Sequence, residues 1–94
     1  MAILFIVKDK SGRSIRLTQE RWQHIQKHPE MPSQLEQIKD TLLHPDTITD
    51  VAYDPDVRFY YRHYKERREY LFISVKYLNG EGFIITSFYT DKIK

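Results

Sequence analysis

Ninety-four residues fit one small domain spanning 1–94, and 40% hydrophobic with 30% charged residues is the balance of a globular chain. With no cysteine there is neither a disulfide framework nor thiol chemistry, and a formal net charge of +2 singles out no partner by itself. The longest apolar run, Ala2 to Val7, is too short to span a membrane and shorter than the apolar core of a secretory signal, so the cytoplasm is the expected location and no membrane partner is expected.

The run "ILFIVK" predicts a first strand, "DKSGRS" a turn around Gly12, and "SIRL" a short second strand. Thr18 is placed to cap a first helix, with Glu20 in its first turn where the helix dipole favours an anion, and Trp22 and Ile25 on its apolar side. Pro29 disfavours helical angles at His28, so the helix should stop there. "SQLE" reads as a capping box for a second helix, Ser33 as cap and Glu36 three residues on, with Leu35, Ile38 and Leu42 on one face and Pro45 beyond its end.

The remainder reads as β. "DTITDVAY", "VRFYYRHY", "EYLFISVKYL" and "EGFIITSFYT" are rich in β-branched and aromatic residues, and are separated by "DPD", by "KERR" and by Asn79-Gly80, the strongest short hairpin signal. A two-residue turn there pairs Leu78 with Glu81. It sets Val75 opposite Ile84, Ile73 opposite Thr86 and Leu71 opposite Phe88 on the core face, and leaves Ser87 and Tyr89 on the open face. The expected architecture is α+β: two short helices packed on a mainly antiparallel sheet, a meander of about four strands with an added N-terminal hairpin.

Charge is unevenly distributed. From Glu30 to Asp56 there are seven acidic residues and one basic residue, whereas Arg58 to Glu69 carries five basic residues, two acidic ones, a histidine and four aromatics. Cations interleaved with aromatics suit RNA or single-stranded DNA. The plainer account is a surface hairpin whose charges keep an edge soluble.

The stretch "RWQHIQKHPEM" poses the chemical question. At helical spacing Arg21, His24 and His28 fall within about 60° of one another, beside the apolar side of the helix. A structural reading covers His28 and His44, since "QKHPE" and "LLHPD" both end helices where histidine can bond free carbonyls. It leaves His24 unexplained. A metal reading is poorly supported, because "HIQKH" lacks the zinc-protease glutamate and no cysteine is present; no metal or cofactor is expected. Acid–base chemistry on a phosphodiester needs only a proton acceptor, a proton donor and cations, because RNA brings its own nucleophile in the 2′-hydroxyl. Histidine suits either proton role near neutrality, and arginine can grip two phosphate oxygens.

Taken in order, "LTQERWQHIQKHPEM", "LEQIKDTLLHPDTI", "YYRHY", "EYLFISVKY" and "GFIITSFYTDKIK" resemble small bacterial and phage-associated domains grouped as nucleases with the barnase–EndoU–colicin–RelE-like fold. The resemblance runs from about Ile15 to Lys94 and leaves out the first strand. It implies a barnase/RelE-like domain and a metal-independent ribonuclease activity. By motif match it implies catalytic roles for His24 and His28 in the helical block and for Thr86 and Ser87 in the last strand. Arg21, with Arg62, Lys65, Arg67 and Arg68 from the basic segment, are the expected phosphate contacts. The leading expectation is therefore an RNA-cleaving domain producing a 2′,3′-cyclic phosphate, with RNA as partner and a toxin role opposed by an antitoxin protein among the roles it fits. The rival is a non-catalytic RNA-binding or protein-interaction module of the same fold.

Overall fold

Turn chemistry sets the hairpins. The computed structural model describes residues 2–93; Met1 and Lys94, the ends of the expected 1–94 domain, lie outside them, as does the last residue of the resembling stretch. Strands β1 (Ile3–Lys8) and β2 (Ser14–Thr18) are joined by a turn in which the Asp9 carboxylate accepts from the backbone N–H groups of Ser11 and Arg13 and Gly12 takes φ +89°. Helices α1 (Gln19–Ile25) and α2 (Leu35–Leu43) follow, then β3 (Thr47–Val51), β4 (Asp54–Tyr64), β5 (Glu69–Leu78) and β6 (Glu81–Thr90). Asn79 and Gly80 both have positive φ, 55° and 79°, as a two-residue hairpin with the twist of the flanking strands requires.

The α+β class and the predominance of antiparallel pairing agree with expectation, but the sheet differs. It is a single six-stranded mixed sheet in the order β1-β2-β6-β5-β4-β3, not a four-stranded meander with a separate hairpin. The hairpin joins the meander where β2 runs parallel to β6, through Ile15↔Gly82 and Arg16↔Phe83. Gly82 permits this close approach. A Cβ there would stand 3.1 Å from Ile15 and 2.9 Å from the Tyr77 ring.

The β5–β6 register begins as expected, with Leu78↔Glu81 and Val75↔Ile84, and then slips. The next pair is Ser74↔Thr86, so Ile85 is an extra residue on β6, and beyond it Ile73 pairs with Ser87 and Leu71 with Tyr89. One inserted residue reverses every later side chain. Ser87 and Tyr89 therefore turn to the helix side, and Thr86 and Phe88 turn to the open side, the reverse of the uninterrupted count. Ser87 is fully buried and donates its hydroxyl to the Phe72 carbonyl (2.8 Å).

Both helices cover one sheet face. Ile25, Ile38, Leu42 and Met31 pack with Phe5, Ile15, Leu17, Leu71, Ile73, Val75 and Ile84, and Trp22 and Leu35 close the margin. Phe88, expected in this core, is absent from it because of the slip. Thr18 caps α1 through the Arg21 N–H (3.2 Å) as predicted, but α1 ends at Ile25 and His28 lies in the connection beyond it. The Ser33 capping box does not form. Gln34 is the cap residue of α2, and its side-chain amide donates to Ser33 Oγ. Asp54-Pro55-Asp56 opens β4 rather than forming a turn; the chain reverses at Ala52-Tyr53. Among the described residues no helix is long and apolar enough to cross a membrane.

Candidate active site

Alternation along β2 sends Ile15 and Leu17 into the core and leaves Arg16 and Thr18 on the open side of the sheet. β2 stays beside β6 for only two residue pairs and then turns into α1 at the Thr18 cap. The fork opens a groove of about 300 Å³ lined by Arg16, Thr18, Glu20, Arg21, Phe83 and Ile84. A second groove of about 280 Å³, lined by Glu20, Arg21, Gln23, His24 and Lys27, adjoins it and shares Glu20 and Arg21.

Of the expected stripe Arg21–His24–His28, Arg21 and His24 lie on α1 and His28 lies beyond its end. At one end Arg21 shares a groove with Phe83 and Ile84, and at the other the His28 ring lies 5.4 Å from Phe88. Thr86 stands on the same open sheet face as Phe83 and Phe88, part-exposed between them. Arg21 and His24 are exposed, and their side chains make no hydrogen bond or ion pair among the described residues. Arg16 reaches Glu81 at 3.6 Å across the fork. The result is a shallow trough with cations and a carboxylate on its α1 wall and Phe83 and Ile84 on its β6 side; Thr86 and Phe88 lie farther along the open face of β6 and line neither groove.

The other expected residues go elsewhere. Ser87 is in the core. Arg62 lies on the helix side of β4 and donates Nη1 to the His44 carbonyl at 2.6 Å, holding the end of α2. The Arg67 guanidinium covers the Tyr89 ring at 3.9 Å from its centroid, and its Nε stands 3.7 Å from Glu69, too far for a hydrogen bond. Burial pushes the Tyr89 phenol up to about 12 against the opposing pull of Arg67. Lys65 and Arg68 are exposed in the β4–β5 turn, Arg68 with φ 55°. None of Arg62, Lys65, Arg67 and Arg68 lines either groove.

Arg16, Glu20, Lys27 and Phe83 line the trough without having been singled out. The helix dipole explains Glu20 in the first turn, but its spacing of four from His24 also puts both on one helix face. Nothing local marks Arg16 or Phe83, which meet through the parallel β2–β6 pairing.

A buried polar chain lies outside the trough. Tyr60 and Tyr77 share a hydrogen bond (2.5 Å), Tyr77 donates to Asp9 (2.9 Å), and Arg13 covers the Tyr77 ring at 3.8 Å. Burial and these bonds push the Tyr77 phenol far up. Burial raises Asp9, but hydrogen bonds from Ser11, Tyr77 and two backbone N–H groups outweigh it and hold the carboxyl below its usual range. This network locks the β1–β2 turn onto the sheet. Among the described residues no group of three or more His, Asp or Glu side chains is placed to share a metal ion.

The model of the phage-Barnase-EndoU-ColicinE5/D-RelE like nuclease2 family matches residues 3–94, taking in β1 as well as the stretch from Ile15 onward. No curated protein and no solved structure matches the chain.

Proposed function

The chain belongs to the phage-Barnase-EndoU-ColicinE5/D-RelE like nuclease2 family, and from that membership we propose that the trough between α1 and β6 cleaves RNA by attack of a 2′-hydroxyl on the adjacent phosphate. The carrying observation is the pair of adjoining grooves that share Glu20 and Arg21, with His24 and Lys27 in one and Arg16 in the other. Arg16 and Arg21 grip the phosphate oxygens and stabilise the charge of the five-coordinate phosphorane. Glu20 takes the proton of the 2′-hydroxyl as its oxygen bonds to phosphorus. His24, as imidazolium, gives a proton to the 5′-oxygen as the P–O5′ bond breaks. The products are a 2′,3′-cyclic phosphate and a free 5′-hydroxyl, and no step calls on a metal.

In this reading His28 orients the trough through its contact with Phe88, Thr86 offers its hydroxyl to the substrate, and Ser87 supports the strand. The toxin role and an antitoxin partner belong to the same proposal. Growth arrest on expressing the wild type but not His24→Ala is its expected sign. The central test is incubation with mixed-sequence RNA in EDTA, followed by end-group analysis. Cyclic phosphate ends are expected from the wild type, with severe losses in Glu20→Gln and His24→Ala. Cleavage by both variants at the wild-type rate removes the trough from the chemistry, and an inactive wild type favours a binding module.

A further inference from the structure

The wall of the first groove opposite Arg21 is a phenylalanine. Phe83 is on the face of β6 that no helix covers, directly across the parallel pair from Arg16, and its ring lines the groove with the two guanidinium groups. A groove with cations at its rim and a ring face for its wall fits a group that is charged at one end and flat and aromatic at the other. Farther along β6 the same open face presents Phe88, tilted against Phe72 with ring centroids 4.8 Å apart and flanked by His28 at 5.4 Å. Phe83 and Phe88 thus stand along one strand, on the side of the sheet that the phosphate-gripping residues border.

We infer that the substrate is single-stranded RNA, bound with one base on the Phe83 ring beside the phosphate held by Arg16 and Arg21, and with the strand running on along β6 toward Phe88. The inference rests on the reading of the trough as the cleavage site. A duplex keeps its base faces inside its own stack and offers only backbone and groove edges, so the Phe83 ring would have nothing to meet. An unpaired strand exposes those faces, and stacking on an aromatic side chain is tolerant of sequence because every base has a π-face. The ring therefore selects for strandedness, and the cations supply the affinity that salt weakens.

The test measures binding apart from cleavage. A labelled oligonucleotide with 2′-O-methyl groups lacks the nucleophile, so its binding can be followed by fluorescence anisotropy as a single strand and as a duplex. The single strand is expected to bind more tightly. Phe83→Leu keeps an apolar side chain of similar reach but has no ring face, and should weaken single-strand binding about 5- to 100-fold. Its duplex binding and salt slope should stay as in the wild type, Phe83→Trp should restore the affinity, and circular dichroism checks that each variant is folded. Equal or tighter duplex binding, no measurable binding, or a folded Phe83→Leu protein with wild-type affinity overturns the inference. Single-strand preference without cyclic phosphate from unmodified RNA sinks the cleavage reading and upholds this one; cleavage without strand preference does the reverse.

Discussion

The molecule has two basic and aromatic regions, and they use their cations differently. In the β4–β5 hairpin three of the four arginines are occupied, and Arg68 is exposed in the turn. Arg58 pairs with Asp50 at 3.0 Å and donates to the carbonyls of Pro55 and Val57, Arg62 holds the His44 carbonyl, and Arg67 lies on Tyr89. In the trough, Arg21 and His24 have no such partner among the described residues. The difference is one of cost. For Arg62 to take a phosphate it must abandon a carbonyl, at a cost of about 1–3 kcal/mol if that group finds no other donor. Arg21 gives up only water. A count of positive charges along the chain cannot see this distinction, and the richer cluster in sequence is the more committed one in space.

The two regions should differ most at their histidines. His24→Ala should lower the cleavage rate by roughly 10² to 10⁴, the usual contribution of a positioned acid or base, with little change in RNA affinity. His44, exposed at the end of α2 beside the other basic region, should be dispensable. Single-turnover rates for the two variants decide it, and comparable losses at both positions would erase the distinction between the regions.

The cations give the next test. Arg21→Ala should reduce the dependence of log affinity on log salt by about one unit, the signature of one lost phosphate contact. Arg62→Ala should leave that slope in place and lower stability instead, because it releases the His44 carbonyl. Titrations at several salt concentrations measure the slopes, and a larger change for Arg62→Ala would invert the assignment.

A smaller effect is expected at Arg67. Its side chain is 32% exposed, and its main contact is the Tyr89 ring. Loss of this cation–π contact in Arg67→Ala should cost about 1 kcal/mol, read as a lower urea midpoint at unchanged m, with cleavage unaffected. Arg67→Lys should recover only part of the loss, since an ammonium lacks the planar face that stacks on the ring. A cleavage defect without a stability defect would return Arg67 to the substrate.

Much of the scaffold was legible in the sequence. Strand β5 and the start of β6 follow from alternation on either side of Asn79-Gly80, and the placing of Arg21 and His24 on one side of α1 follows from helical spacing, whereas His28 lies past the helix end. The bulge was not legible. In "FIITSF" apolar residues occupy both parities around Ile85, so the pattern is compatible with either register, and neither glycine nor proline marks the slip. That ambiguity placed Phe88 in the core and Ser87 on the open face, the reverse of what is found. The fork between β2 and β6 was hidden for another reason. Arg16 and Phe83 are 67 positions apart in the chain and meet only through the parallel pairing, which no local preference encodes. Half of the candidate site depends on that contact.

The smallest expected effect sharpens the contrast from the other side. Arg68 sits in the β4–β5 turn at φ 55°, a left-handed conformation that costs a residue with a side chain about 1–2 kcal/mol. Glycine removes that cost but adds freedom to the unfolded chain, so Arg68→Gly should gain roughly 0.5 kcal/mol net. The substitution also deletes an exposed positive charge. If the turn lies off the RNA path, thermal unfolding should shift slightly upward while the salt slope and cleavage rate hold. If Arg68 touches phosphate, the stability gain should come with a slope reduced by about one unit. That second result would extend the RNA path from the trough to the hairpin and make the two basic regions one surface.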